Sequence, residues 1–168
     1  MIAYHFTAIE YLESILQEGI IRGELPVSAS VVQNVVNLTT DGNPLGHGLT
    51  DGRSLTERDI AALRSTGTFV PDGAYFPNKR AVRITVRVPE SSLKRWLPWA
   101  NRHLDPGWRR GMIETGGGLA KAKSWWFSRK PIPPSQFVRI ELADGAGGWS
   151  EYAPESAGVT CLSEVDAA

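Results

Sequence analysis

YHFTAIEYLESILQEGII, residues 4–21, is the stretch on which the fold turns. The chain enters it on a short apolar segment, Ile2 to Phe6, that stops at Thr7. Thr7-Ala8-Ile9-Glu10 has the form of a capping box: the threonine hydroxyl accepts from a first-turn amide while the glutamate reaches back to the cap. Ile9, Leu12, Ile15 and Leu16 then fall on one helical face, and Gly19 is a natural stop. The pattern predicts a strand, a tight turn and a helix, with His5 and Thr7 at the strand end. Backbone amides and a helix N-terminus meet ligands at such junctions.

Outward from there, VVQNVVNLTT (31–40) is rich in β-branched residues and reads as a strand closed by Asp41-Gly42. A long loop precedes a short helix that Thr56 and Asp59 cap, with Ile60 and Leu63 facing the core. Val82, Ile84, Val86 and Val88 alternate with Arg83, Thr85 and Arg87, the period of a strand with one buried face. Leu93, Trp96, Leu97, Ala100 and Leu104 predict a helix that Pro98 kinks or restarts. Trp125 to Ser128 and Phe137 to Leu142 read as late strands joined by Pro131-Ile132-Pro133-Pro134. Strands with few helices and long loops favour an α+β fold over a doubly wound one. The expected layout is one domain over residues 1–145 and a C-terminal extension over 146–168 whose last residues are frayed.

The composition narrows the function classes. Of 168 residues, 42% are hydrophobic and 21% charged, ordinary for a globular chain. Lys plus Arg equals Asp plus Glu at 18 each, so global charge favours neither nucleic acid nor membrane. A single cysteine, Cys161, and no visible signal peptide or membrane span point to a cytoplasmic chain without a membrane partner. His5, His47, His103 and Cys161 lack metal-ligand spacing, so no metal is expected. There is no GxxxxGK[ST] loop and no GxSxG elbow, and Gly116-Gly117-Gly118 follows no strand, so it reads as a hinge.

Residues 4–21, with VVNLTTDGNPLGHG, AVRITVRVP and WWFSRKPIPPSQFVRI following in order, resemble the ADP-ribosyltransferase-like superfamily over roughly residues 2–142. The opening is similar in shape to that of tRNA 2′-phosphotransferases, rifampicin ADP-ribosyltransferases and DNA-modifying ADP-ribosyltransferase toxins. The resemblance implies a split, twisted β-sheet with a few packed helices. It also implies NAD, bound as a substrate, and transfer of ADP-ribose to a protein or nucleic-acid acceptor. A toxin or defence setting follows only by analogy.

The resemblance also implies roles. His5 matches the strand histidine that contacts the ribose next to nicotinamide, and an imidazole can read a hydroxyl in either direction. Phe6 stands where the family commonly has glycine, whose backbone holds the carboxamide; Thr7 follows as cap or contact. Thr39 and Thr40 match the end of the second motif strand, so His5 and that strand are expected to flank one cleft. His47 or Tyr75 is the ring available to stack on nicotinamide, and Arg83, sharing a face with Arg87, is the best phosphate hook. The family's late-strand carboxylate, which stabilises the oxocarbenium-like transition state, is missing from KAKSWWF. Glu114, carried by a mobile glycine loop, is the expected substitute. That departure leaves two further readings open: a non-catalytic module that senses a nucleotide or blocks a partner, and an RNA 2′-phosphotransferase-like enzyme that uses arginines on phosphate.

Overall fold

The computed structural model describes residues 1–65 and 67–153; Cys161 and the residues expected to be frayed lie outside this range. The fold is α+β, with antiparallel pairing throughout the described sheets. In chain order come β1 (Ile2–Thr7), α1 (Leu12–Glu18), β2 (Glu24–Pro26), β3 (Val32–Asn34), β4 (Val36–Thr39), α2 (Glu57–Ser65) and β5 (Val82–Arg87). They are followed by β6 (Lys94–Arg95), α3 (Trp96–His103), α4 (Pro106–Thr115), α5 (Leu119–Ala122), β7 (Trp125–Ser128), β8 (Phe137–Ala143) and β9 (Trp149–Glu151). Seven strands form one sheet in the order β6-β7-β4-β1-β5-β8-β9, and β2 pairs with β3 beside it.

β5 sets the register. Val82, Ile84 and Val86 are each fully buried, and Val88 nearly so, while Arg83, Thr85 and Arg87 point the other way, as the alternation predicts. Opposed residues of neighbouring strands share a face. Phe6 stands opposite Arg83, Tyr4 opposite Thr85, and Arg83 opposite Glu141. Tyr4 also stands opposite Thr39, and Thr39 opposite Trp125. One side of the sheet, the arginine face, therefore carries Tyr4, Phe6, Thr39, Arg83, Trp125 and Glu141. The other, the α1 face, carries Ala3, His5, Thr7, Leu38 and Ile84.

Each face has its own apolar layer. On the α1 face, Leu12 and Ile15 of α1 pack with Ala3, Val36, Leu38, Ile84 and Ile132. On the arginine face, Trp96, Trp99 and Ala100 of α3 pack with Phe127 and Trp125 of β7 and with Met112 and Ile113 of α4. Trp96 meets Trp125 edge-on at 4.9 Å between ring centroids, and Trp99 meets Phe127 at 5.4 Å, geometries that the ring quadrupole favours. The helices thus cover opposite faces, α1 over the central strands and α3 over the β6–β7 end.

Local expectations are corrected in several places. Thr7 does not cap a helix: it is the buried last residue of β1, and the turn after it, Ile9–Tyr11, starts from Ala8 without a side-chain cap. Ile9 is 49% exposed, because that 3-10 turn shifts it off the face that Leu12 and Ile15 bury. Gly19 does end α1, at a φ of 85°. The run 31–40 is two strands, broken where the Val35 amide turns to the Gly23 carbonyl. Pro98 is the third residue of α3, where its missing N–H has no intrahelical acceptor to lose, so it neither kinks nor restarts the helix. Thr56 and Asp59 do form a reciprocal cap, although Ile60 and Leu63 are only half-buried. α4 begins at Asp105, whose carboxylate accepts from the Gly107 and Trp108 amides with Pro106 at the first helical position. The sheet runs past the expected boundary at residue 145, through β9.

Candidate functional site

β1 is the central strand, yet it meets β4 at one paired position only, Tyr4 with Thr39, whereas it pairs with β5 along its whole length. At this partial split stands His5. Its Nδ1 lies 2.9 Å from the Asn37 carbonyl oxygen. A carbonyl only accepts, so Nδ1 carries the proton and Nε2 is left as an acceptor. Burial, and then the charge of Lys79, hold this imidazole below its ordinary range and opposed only by the Asn37 bond, so it is neutral at pH 7.

The arginine face gathers a denser cluster. Arg83 grips Glu141 with two bonds, Nε to Oε2 at 2.8 Å and Nη2 to Oε1 at 2.9 Å, and its Nη1 donates to the Gly42 carbonyl at 2.9 Å. The guanidinium lies 4.3 Å from the Trp149 ring centre and 5.7 Å from that of Tyr4. Arg139 adds a weaker contact to Glu141 at 3.5 Å. The Arg83 hydrogen bonds hold the buried Glu141 carboxyl below the usual carboxylate range, against the opposing effect of burial. Phe6 lies 6.1 Å from His47 and 6.2 Å from Trp149, ring centre to ring centre.

His47 belongs to a second polar knot. The Trp125 indole N–H donates to His47 Nδ1 at 2.9 Å. An indole can only donate, so the proton of this neutral imidazole sits on Nε2. That N–H is buried and has no hydrogen-bond partner among the described residues; Asp41 Oδ2 is 3.7 Å away. Asp41 is held instead by Lys121 at 2.6 Å. Burial first, and Lys121 second, keep the His47 pKa below its ordinary value, with Asp41 opposing. Thr39 anchors the loop by accepting from the Asp41 amide at 3.0 Å and bonding Ser124 Oγ at 2.8 Å.

Of the residues singled out by sequence, the structure brings together Phe6, Thr39, His47 and Arg83. His5 and Thr7 lie on the α1 face, so the expectation that His5 and Thr39 flank one cleft is corrected: strand alternation separates them. Thr40 is exposed just beyond β4, and Tyr75 is 57% exposed on a loop bridged to Ser54. Glu114 is not on a mobile loop. It is an exposed residue in the last turn of α4, and its carbonyl accepts from Gly117. The glycines after it serve close approach rather than freedom: a Cβ on Gly116 would strike the Trp125 ring, and one on Gly117, at a φ of 87°, would strike the backbone of Gly46. Three of the five Arg83 N–H donors are already engaged by Glu141 and Gly42, which leaves two for a phosphate.

Trp125 and Glu141 complete the cluster together with Tyr4, Asp41, Lys121 and Trp149, and the last four were not placed in it from sequence. Cross-strand alternation carried a signal for Glu141, since VRIELA sets one carboxylate among apolar positions. Two grooves follow α1, sharing Leu16 and Tyr152, and touch neither His5 nor His47. Among the described residues no helix is long and apolar enough to cross a membrane. Comparison with family models, with curated proteins and with solved structures found no match.

Proposed function

We infer that the chain is an ADP-ribosyltransferase-like protein that binds NAD where β1 and β4 part and transfers ADP-ribose to a macromolecular acceptor. The observation that carries this reading is His5: a neutral, half-buried imidazole whose tautomer the Asn37 carbonyl fixes, standing at the split of the sheet. A bare Nε2 at that place suits a ribose hydroxyl, which donates to it. The order of the elements supports the same reading, with β1 central between β4 and β5 and β7 beyond β4. Glu141 is the buried carboxylate on the Phe6 side of β1, the face away from His5, so Glu141→Gln and Glu114→Gln are tested side by side.

One observation favours a second reading, nucleotide binding without transfer. Glu141 is already neutralised by Arg83 and Arg139, which leaves little field for a developing cation. Calorimetry with NAD and with ADP-ribose, followed by incubation with labelled NAD and cellular protein, DNA and RNA, separates the two. His5→Ala should weaken binding by about 0.5–1.5 kcal/mol, the worth of one hydrogen bond to a hydroxyl. Binding without labelled product selects the second reading. No binding of either nucleotide at millimolar concentration removes both.

A further inference from the structure

The balanced total charge hides a segregation. Residues 94–130 hold nine Lys and Arg against two acids, Asp105 and Glu114, a net of +7, so the rest of the chain carries −7. These residues are contiguous in space as well as in sequence. They form β6, α3, α4, α5 and β7, the end of the sheet with its own apolar layer. Lys94, Arg95, Lys123, Arg129 and Lys130 are all exposed, and none has a carboxylate partner among the described residues. Arg102 and Arg110, on α3 and α4, add two more of the same kind.

Register places two of them on the edge of the sheet, on alternate faces, and the chain carries three more just beyond its ends. Lys94 stands opposite Phe127 and Arg95 opposite Trp126, on the edge strand of the seven-stranded sheet. Arg129 and Lys130 leave β7 beyond the Lys94 end, and Lys123 enters it beyond the Arg95 end. At the rise of a strand, the span from Lys123 to Lys130 is roughly 20 Å. Arg95 lies 5.3 Å from the Trp126 ring centre, and Arg129 is braced by Gln33 at 3.3 Å, so two of the guanidiniums are held rather than waving free. Unpaired cations spread over this length of the edge match a polyanion that follows it, whose phosphates release bound counterions as they are neutralised.

We propose that the β6–β7 edge, from Lys123 through Arg95 and Lys94 to Lys130, is a docking surface for the phosphate backbone of a nucleic acid. It acts without reading base sequence and independently of any NAD chemistry, so its test is a binding measurement made without NAD. Edge lysines and arginines also guard against strand-to-strand aggregation; that role alone would change solubility and leave nucleic-acid affinity unmoved.

The experiment is fluorescence anisotropy of the full chain with a labelled DNA single strand of about 20 nucleotides, at about 50 and about 200 mM salt. Micromolar binding at low salt is expected, weakening roughly 50-fold at the higher salt if about four phosphates are contacted. Reversing Lys94, Arg95, Arg129 and Lys130 to Glu should weaken binding by at least ~30-fold, and the corresponding Gln set by ~10-fold, whereas Arg58→Glu with Arg64→Glu on α2 should change it by less than ~3-fold. A circular dichroism melt of each variant confirms that it folds, and the Gln set serves if the Glu set does not. The proposal is overturned by absence of binding at low salt, by equal losses in the α2 variant, by edge variants that only aggregate, or by polyglutamate binding as tightly as DNA, which would point to an acidic protein.

Discussion

The two faces of β5 are built from alternate residues of one strand and are held by different physics. On the α1 face, Val82, Ile84 and Val86 are excluded from water by their neighbours on β1, β8 and α1, and their burial depends on neither direction nor charge. On the arginine face, Arg83 is tied by three hydrogen bonds and two rings to groups from β8, β9, β1 and the loop after β4. The first arrangement tolerates a change of shape and resists a loss of volume. The second tolerates volume changes but fails when one partner of the ion pair is removed. The comparison explains why the apolar face is held by packing alone, while the polar face is tied by directed bonds to groups from distant parts of the chain.

The largest expected effect tests the apolar face. Ile84→Ala removes a fully buried side chain and should cost about 3–4 kcal/mol in a urea denaturation, through lost transfer energy and the cavity left behind. A loss under about 1 kcal/mol would mean that the two layers collapse freely and that the contrast between the faces is overstated. Next, Glu141→Gln strands the Arg83 charge and should cost about 2–3 kcal/mol, somewhat less than a fully enclosed pair because Arg83 keeps some access to water. Replacing both partners, Arg83→Met with Glu141→Leu, should recover at least half of that loss, since burying a pair of charges gains little over packing. Recovery of nothing would show that the Gly42 and Trp149 contacts, not the pair, hold this face.

A smaller effect is expected at the loop that borders the polar face. Gly117→Ala puts a methyl group on a left-handed backbone against Gly46 and should cost about 1–2 kcal/mol while leaving the α1 face intact by hydrogen exchange. The smallest concerns pH. His5 and His47 both have folded pKa values below 6.5, so as pH falls through that value the unfolded chain binds protons that the native state refuses. Their contribution to stability is present above pH 6.5 and is lost as pH falls through the folded pKa values. Protonated His47 would also set an N–H against the Trp125 indole N–H, replacing a bond with a clash of donors. His47→Gln should therefore flatten part of the decline in denaturation midpoint between pH 7 and pH 5; an unchanged slope would assign it to other groups.

These contrasts also show what could be read in advance. Val82 to Val88 declared their register because a half-buried strand has only one way to alternate, and Gly19 declared the end of α1 because few residues accept its backbone angle. The site was less legible. His5, Phe6, Arg83 and His47 were singled out one by one, but strand alternation decides which of them meet, and it sends His5 one way and Phe6 the other. Thr7 looked like a cap because Thr-x-x-Glu fits one; the strand continued and buried it. Glu114 looked mobile because three glycines follow it, whereas two of those glycines are there to let Trp125 and Gly46 come close. Trp149 lay past the expected end of the domain, in a stretch whose glycines hide a short edge strand.

That last strand has a consequence for how the molecule is made. β1, first of the described strands in chain order, becomes the centre of the sheet, and its neighbours β4 and β5 are both complete by Arg87. The centre of the α1 face can therefore form before Ile132 and β8 arrive to finish it, in keeping with N-terminal-first folding. Arg83 must wait for Glu141, and then for Trp149, which arrives among the last residues of the sheet. A nascent chain stalled at Asp144 would hold a finished apolar core and an uncovered guanidinium, so the polar face keeps time with translation rather than with collapse.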